Sequence, residues 1–152
     1  MNLTKNFKLT EFLRNRHGFV VTPNDYDIKN LTRICKHILQ PLRDEFNTPI
    51  IISSGLRSIG LNAIVGGTLN SQHLSGNAVD FQCLYPAMLT KMWVWLITRL
   101  PFDQVIYYNR DNSKKSFIHV SLINKGNRRH AMISEYGCYV SLETYFNQCF
   151  NI

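Results

Sequence analysis

The segment SQHLSGNAVD, residues 71–80, places a histidine and an aspartate seven positions apart with mostly small residues between them. One interpretation is a glycine turn entering a strand, flanked by two incidental polar residues. The other is that His73 and Asp80 bind one metal ion, together with His119 from the strand-like run FIHVSL. Two imidazoles and one carboxylate form a common catalytic zinc set that leaves a fourth position for water. Spacing alone leaves both interpretations open.

The elements that would position these donors follow from the apolar pattern. Residues 28–46 carry apolar side chains at helical spacing, and Pro41 is expected to kink or divide that helix. Residues 86–100 predict a second long helix, and residues 141–150 a closing one. Strand-like runs occupy residues 49–53, which predict a buried strand, and residues 78–82, 104–108, 117–122 and 131–136. Strands clustered after a helical start predict an α+β fold, a small single domain over residues 1–152 with a central antiparallel sheet flanked by helices.

Composition limits the class of protein. The chain has 152 residues, of which 45% are hydrophobic, enough for an ordinary core. Its net charge of +7 indicates anionic partners, namely nucleic acid, an anionic membrane or an acidic wall polymer, or else serves solubility alone. The most apolar window is interrupted by Lys91 and Arg99, so no membrane span is predicted. The N-terminal segment lacks the apolar stretch of a secretory signal, so synthesis in the cytoplasm without a signal peptide is expected.

The pattern S-x-H-x-x-G-x-A-x-D within this segment resembles the metal-binding signature of the zinc D-Ala-D-Ala carboxypeptidase family, which shares its fold with the Hedgehog signalling domain. Other segments resemble that family in the same order along residues 6–122, and the first of them is similar to the start of phage-type members. They are NFKLTEF, NLTRICKHILQPLRDEFNTPIIISSGLRS, LNAIVGGTLNSQH, FDQVIYY and FIHVSL.

The resemblance implies roles for particular residues. One zinc ion per chain would be held by His73, Asp80 and His119. Arg57, in the segment SGLRS, resembles the family arginine that approaches the substrate, where it would bind a carboxylate or stabilise an oxyanion. Ser71 would form a hydrogen bond with the substrate or with a ligand residue. Gly76 would supply a turn and leave room beside the metal.

One expected group is missing from the motif. Many family members place a Glu or Asp three residues before the last histidine, where this chain has Ser116, and others place a Glu where it has Tyr107 and Tyr108. A general base for the metal-bound water must therefore come from elsewhere or be replaced by a tyrosine. The remaining carboxylate candidates are Asp111 in a predicted hairpin loop, Asp103 and Glu135.

The resemblance implies a peptidase that cleaves peptidoglycan stem or cross-bridge peptides. The expected setting is the bacterial cell wall, reached through phage lysis or as a component of a virion. The basic residues expected to hold the protein on the anionic wall are Lys114, Lys115, Lys125, Arg128 and Arg129. Because the usual carboxylate is missing, an alternative is a catalytically impaired protein that binds zinc and the wall or serves a virion structurally. Nucleic-acid binding ranks last, since it rests on net charge without a reading motif.

Overall fold

The computed structural model describes residues 1–110, 115–135 and 137–145. Its α-helices are α1 (Leu9–Leu13), α2 (Asp25–Ile34), α3 (Gln40–Phe46), α4 (Ile59–Ile64) and α5 (Leu89–Arg99). Its strands are β1 (Ile50–Ser54), β2 (Ala78–Cys83), β3 (Gln104–Asn109), β4 (Phe117–Ser121), β5 (His130–Glu135) and β6 (Cys138–Ser141). Short turns of 3-10 helix cover Gln72–Ser75 and Pro86–Met88. Residues 142–145 are helical, and the remainder of the predicted closing helix lies outside the described residues.

Within the described residues the strands form one sheet in the order β1-β2-β4-β3-β5-β6. Neighbouring strands are antiparallel except β3 and β5, which are parallel. The predicted α+β class is confirmed, with this one parallel pair in addition to the antiparallel pairs expected. The reason is local: β4 ends at Ser121 opposite Gln104, the first residue of β3. Residues 122–129 need only carry the chain past that end of β3 for His130 to pair beside Gln104.

The sheet has one face packed against helices and one open face. Successive side chains of a strand point to opposite faces, so β2 and β4 each divide their residues between the two. Phe81 and Ile118 are Cα partners on the packed face and are both fully buried. Asp80 and His119 are the next pair along the ladder, on the open face. This alternation presents polar side chains beside a continuous apolar core.

The predicted long helix is divided near Pro41, as expected. A π-helical turn, Cys35–Leu39, joins α2 to α3, and the Gln40 N–H donates to the carbonyl of Cys35, five residues back. Pro41 has no N–H with which to continue the α-helical ladder, so the chain changes its hydrogen-bonding pattern just before it. The apolar stripe survives the change, and its fully buried members include Leu31, Ile34, Ile38 and Leu42.

The run after Pro49 forms a strand, as predicted, but the prediction that this strand is buried is wrong. In β1 the side chains alternate, so that Ile50 is 7% exposed and Ile51 is 47% exposed. β1 lies at the edge of the sheet and pairs with β2 alone. Only one of its faces packs on the core, and among the described residues no layer buries the face that carries Ile51.

The apolar window near residue 90 forms part of α5, which has eleven residues. A helix needs about 20 apolar residues to cross a bilayer. No helix in the described part of the chain is long and apolar enough to do so.

Candidate metal centre

Asp80 and His119 are brought together by the pairing of β2 with β4. They are direct Cα partners in that antiparallel ladder, and both point to the open face. His119 Nδ1 lies 2.7 Å from Asp80 Oδ1. Strand register alone therefore places two of the three predicted donors in contact.

His73 reaches the same point from the 3-10 turn before β2. Gly76 ends that turn with a φ of +68°, in the left-handed region that glycine adopts without strain. A Cβ on Gly76 would also lie 2.8 Å from the backbone oxygen of Asp27 in α2. The tight turn against α2 brings His73 Nε2 to 3.3 Å from Asp80 Oδ1. The structure thus brings all three predicted donors together.

The orientation of the His73 ring is set by a backbone carbonyl. Its Nδ1 lies 2.8 Å from the oxygen of Gly55, and the side chain is 4% exposed. A protonated Nδ1 donates to that oxygen, which leaves the lone pair of Nε2 directed at the cluster. Gly55 itself is pressed against α1, since a Cβ there would lie 2.6 Å from Phe12 Cα. Close packing of two backbones therefore positions the carbonyl that orients the imidazole.

The donor set fits a zinc ion. One nitrogen from each of the two histidines and a carboxylate oxygen lie within 4.8 Å of one another. Tetrahedral ligands at zinc bond lengths of about 2.0–2.1 Å are separated by roughly 3.3 Å. The 3.3 Å between His73 Nε2 and Asp80 Oδ1 agrees with that separation, whereas the 2.7 Å between His119 Nδ1 and Asp80 Oδ1 is a hydrogen-bond distance that would lengthen when both atoms bind the ion. Neutral imidazole and carboxylate are also donors that zinc prefers.

Asp80 is held as an anion within this cluster. Burial alone would raise the pKa of Asp80. The imidazoles of His73 and His119 lower it by more than burial raises it, so the net pKa lies well below the usual range of a carboxyl group. Arg57 Nη2 donates to Asp80 Oδ2 at 3.0 Å, while Arg57 Nε donates to Ser54 Oγ at 3.0 Å. One carboxylate oxygen thus faces the imidazoles and the other is fixed by Arg57. Arg57 therefore contacts a donor of the cluster as well as lining the space above it.

An open cleft of about 800 Å³ lies over the three donors. Ser71 lines it two residues before His73, as a residue that contacts substrate would. Gly76 does not line it and packs against α2, so its part in the site is the turn itself. A cleft of this size accommodates several residues of an extended peptide beside the donors.

Asp103 lines the cleft, but its carboxylate is fully engaged. It is 1% exposed, and its two oxygens accept from the backbone N–H and guanidinium of Arg128 and from the side chain of Gln72. These hydrogen bonds, chiefly from the Arg128 side chain, lower the pKa of Asp103 to about 2 despite its burial. A carboxylate so stabilised and so fully bonded is a poor proton acceptor. It ties the loop after β4 to the turn that carries His73.

Of the described candidate carboxylate bases other than Asp103, none lines the cleft. Glu135 accepts a hydrogen bond from Asn109 at 2.8 Å and does not line the cleft. Ser116, at the position where relatives carry an acid, accepts from the backbone N–H of Arg110. Asp111 lies outside the described residues. Among the described residues that line the cleft, Asp80 and Asp103 are the only carboxylates.

Tyr108 and Tyr139 form one wall of the cleft. Tyr107 and Tyr108 point to opposite faces of β3: the Tyr107 hydroxyl lies 3.1 Å from Thr90 Oγ1 of α5, whereas Tyr108 lines the cleft. The Tyr108 hydroxyl lies 3.2 Å from that of Tyr139 on β6. Burial, followed by this contact, raises the pKa of Tyr108 above its usual value, so the phenol stays protonated. Tyr139 was not predicted from the sequence as a cleft residue. The alternation of side chains after Gly137, which is typical of a strand, was the signal that could have indicated it.

A small α+β domain with two imidazoles and a carboxylate at the base of an open cleft has the architecture of a mononuclear zinc hydrolase. The family model for peptidase M15 matches residues 3–121, a stretch that contains all three donors and the strands through β4. The chain therefore belongs to the peptidase M15 family of zinc-dependent peptidases. The predicted family is confirmed at this level. No curated protein shows a significant match to the chain.

Proposed function

We propose that this peptidase uses one zinc ion, bound by His73, Asp80 and His119, to hydrolyse peptide bonds of bacterial peptidoglycan. It would act as a D-Ala-D-Ala carboxypeptidase or as an endolysin-type endopeptidase. The observation that carries the proposal is the convergence of the three donors at the base of a peptide-sized cleft in a chain of the M15 family. The resemblance of the N-terminal segment to phage-type members supports a phage lysin.

Bound zinc would lower the pKa of a water molecule toward neutrality and polarise the scissile carbonyl. The protein's own part is to orient the donors. The Gly55 carbonyl holds the proton on His73 Nδ1 and frees Nε2 as a ligand atom. Arg57 fixes Asp80 through one oxygen, which leaves the other for the metal. Both contacts favour one geometry before any substrate arrives.

Tyr108 and Tyr139 are our candidates for the proton-handling groups. Both line the cleft over the donors, in a wall where relatives place a carboxylate. A protonated phenol cannot act as a general base at neutral pH, but it donates a hydrogen bond to an oxygen that becomes negative in the transition state. The two hydroxyls share one hydrogen bond, in which one hydroxyl donates its proton to the oxygen of the other. The second hydroxyl therefore keeps its own proton for donation to the substrate.

Tyr108→Phe is expected to lower kcat for peptide cleavage on the order of 100-fold with little change in KM, because it removes a donor used in the transition state. Zinc content should stay that of the native protein. Steady-state kinetics on a soluble peptide substrate derived from the wall would measure kcat and KM separately. Tyr107→Phe is the matched control, since it removes the neighbouring hydroxyl from the opposite face. Equal kcat values for the two variants would exclude this role.

The proposed attachment to the wall has a smaller basic surface than the sequence indicates. Arg128 is paired with Asp103, so its charge is partly neutralised. Arg129 donates to the carbonyls of Leu100 and Ile97 but keeps its charge and is exposed. Arg129, Lys115 and Lys125 therefore remain for an anionic polymer, whereas Lys114 lies outside the described residues. Attachment would therefore be weak and sensitive to salt.

A second candidate function is favoured by the cleft itself. The described cleft residues include no carboxylate free to act as a base. A protein that retains zinc and binds wall peptides without turnover, for example as a virion component, would have such a cleft. It predicts zinc retention and wall binding with no hydrolysis.

Incubation of purified peptidoglycan with the zinc-loaded protein is expected to release new amino groups, from internal stem peptides or as free D-alanine. A chelator should abolish the release, and added zinc should restore it, because the donors hold the metal through exchangeable bonds. Amino groups would be labelled and identified by mass spectrometry. Zinc-replete protein that sediments with the wall but releases nothing would exclude the peptidase proposal and support the second function.

A further inference from the structure

A second arm of the cleft extends from the metal centre toward the loop after α1. It is a cavity of about 450 Å³ that shares Arg57, Val65, Asp80 and Phe117 with the main cleft. An extended peptide lying across the donors would therefore continue into this arm on one side of the bond that is cut.

The far end of this arm is cationic. Arg14, Arg16 and His17 line it, and Asp80 is the only acidic side chain among its lining residues. Asp80 already receives Arg57 and both imidazoles. Over the part of the chain that the structure describes, neither Arg14 nor Arg16 has a carboxylate within ion-pairing distance. The arm thus presents two exposed guanidinium groups that no carboxylate of the described residues neutralises.

The loop that carries these arginines is held in shape. Asn15 Oδ1 accepts from the backbone N–H groups of His17 and Phe19, and its Nδ2 donates to the carbonyl of Phe19. Phe19 rests on the start of α4, where a Cβ on Gly60 would lie 2.9 Å from its ring. Arg16 Nε also donates to His17 Nε2 at 3.3 Å. A loop closed by its own side chain presents its cations with little ordering cost on binding.

We propose that this arm binds a carboxylate side group of the peptide substrate, next to the bond that is cleaved at the metal centre. The inference rests on the proposed peptidase function and adds a preference for an anionic residue. Guanidinium forks match carboxylates in geometry as well as charge, and Leu56, Leu61 and Val65 line the same arm. A peptide that carries a free carboxylate there is favoured over the same peptide in amidated form.

Two synthetic stem-type peptides test this preference. Both contain a γ-linked D-glutamate; in one its α-carboxylate is free, and in the other it is a carboxamide. Isothermal titration with metal-free protein avoids cleavage, and a zinc-loaded repeat shows whether the metal changes the result. The native protein should bind the free acid about tenfold more tightly than the amide. In the doubly substituted variant Arg14→Gln/Arg16→Gln, the two affinities should become equal.

The matched control is Lys29→Gln/Lys36→Gln, which removes the same net charge from exposed positions on α2 and the π-helical turn, away from the arm. It should retain the preference for the acid. Three outcomes would overturn the inference: equal or no binding of the two peptides by native protein, an unchanged preference in the arginine variant, or an equal loss in the lysine control. A preserved preference in a protein that cleaves no wall would overturn the peptidase proposal and leave the anion-binding arm standing.

Discussion

Replacing His73 with alanine is expected to leave the protein unable to retain zinc and unable to cleave peptide bonds. Loss of a residue that only orients a ligand typically costs 10–100-fold in metal affinity, about 1.4–2.7 kcal/mol, so loss of the ligand itself should exceed about 100-fold. His73 Nε2 also contacts Asp80, so the substitution removes one of the groups that keep that carboxyl ionised. Zinc per chain after dialysis, measured by elemental mass spectrometry, is the direct test.

His37→Ala is the control for this experiment. His37 is exposed on the π-helical turn and lies outside the cluster. That variant should keep the zinc content and activity of the native protein. Circular dichroism of the His73 variant separates metal loss from unfolding. A folded His73→Ala protein that holds zinc as tightly as the native chain would refute the proposed ligand set.

Gly55→Ala is expected to weaken the metal centre without touching a donor. The new Cβ would meet the backbone of Phe12, so α1 and the segment after β1 must separate. That movement strains the bond from Leu56 N–H to the Phe12 carbonyl and draws the Gly55 oxygen away from His73 Nδ1. Overpacking costs about 1–3 kcal/mol of unfolding free energy, and loss of the orienting contact should lower zinc affinity about 10–100-fold.

Ser53→Ala is the comparison, because Ser53 is exposed on β1 two residues before Gly55. It should change neither thermal stability nor zinc affinity. Competition with a fluorescent zinc chelator measures affinity, and thermal unfolding of the metal-free protein measures stability. A Gly55 variant that loses stability but binds zinc normally would show that the glycine serves packing alone, and that its carbonyl does not orient His73.

Short-range sequence pattern was enough to predict most of the helices and strands. In the candidate site it predicted the face of β4 that carries His119 and the glycine turn that follows His73. The alternation in FIHVSL places His119 on the face opposite Ile118, and the structure has that arrangement. The segment before β2 reads as a glycine turn, which the positive φ of Gly76 bears out. These features depend on residues close together in the chain, where local sterics decide the conformation.

The features that sequence could not predict depend on contacts between distant segments. The approach of Gly55 to His73 joins residues 18 positions apart, and the ion pair of Arg57 with Asp80 joins residues 23 apart. Tyr139 enters the cleft only because β6 adds to the edge of β5, beyond the matched family segment. That the Asp103 carboxylate is fully hydrogen-bonded could not be predicted either, because it depends on where the loop after β4 places Arg128. No periodicity encodes such pairings, since tertiary packing chooses them.

The strand β2 has a further consequence, because it alternates core and donor residues within six positions. Val79 and Phe81 are fully buried, and Asp80 between them faces the cleft. A slip of one residue against β4 would turn the two apolar side chains toward the cleft and the Asp80 carboxylate into the apolar core, and the free-energy cost of both changes disfavours that register. Zinc retention therefore indicates whether β2 and β4 are aligned correctly, because Asp80 and His119 meet only in this register. A preparation that holds zinc tightly is thereby one whose central strands are correctly paired.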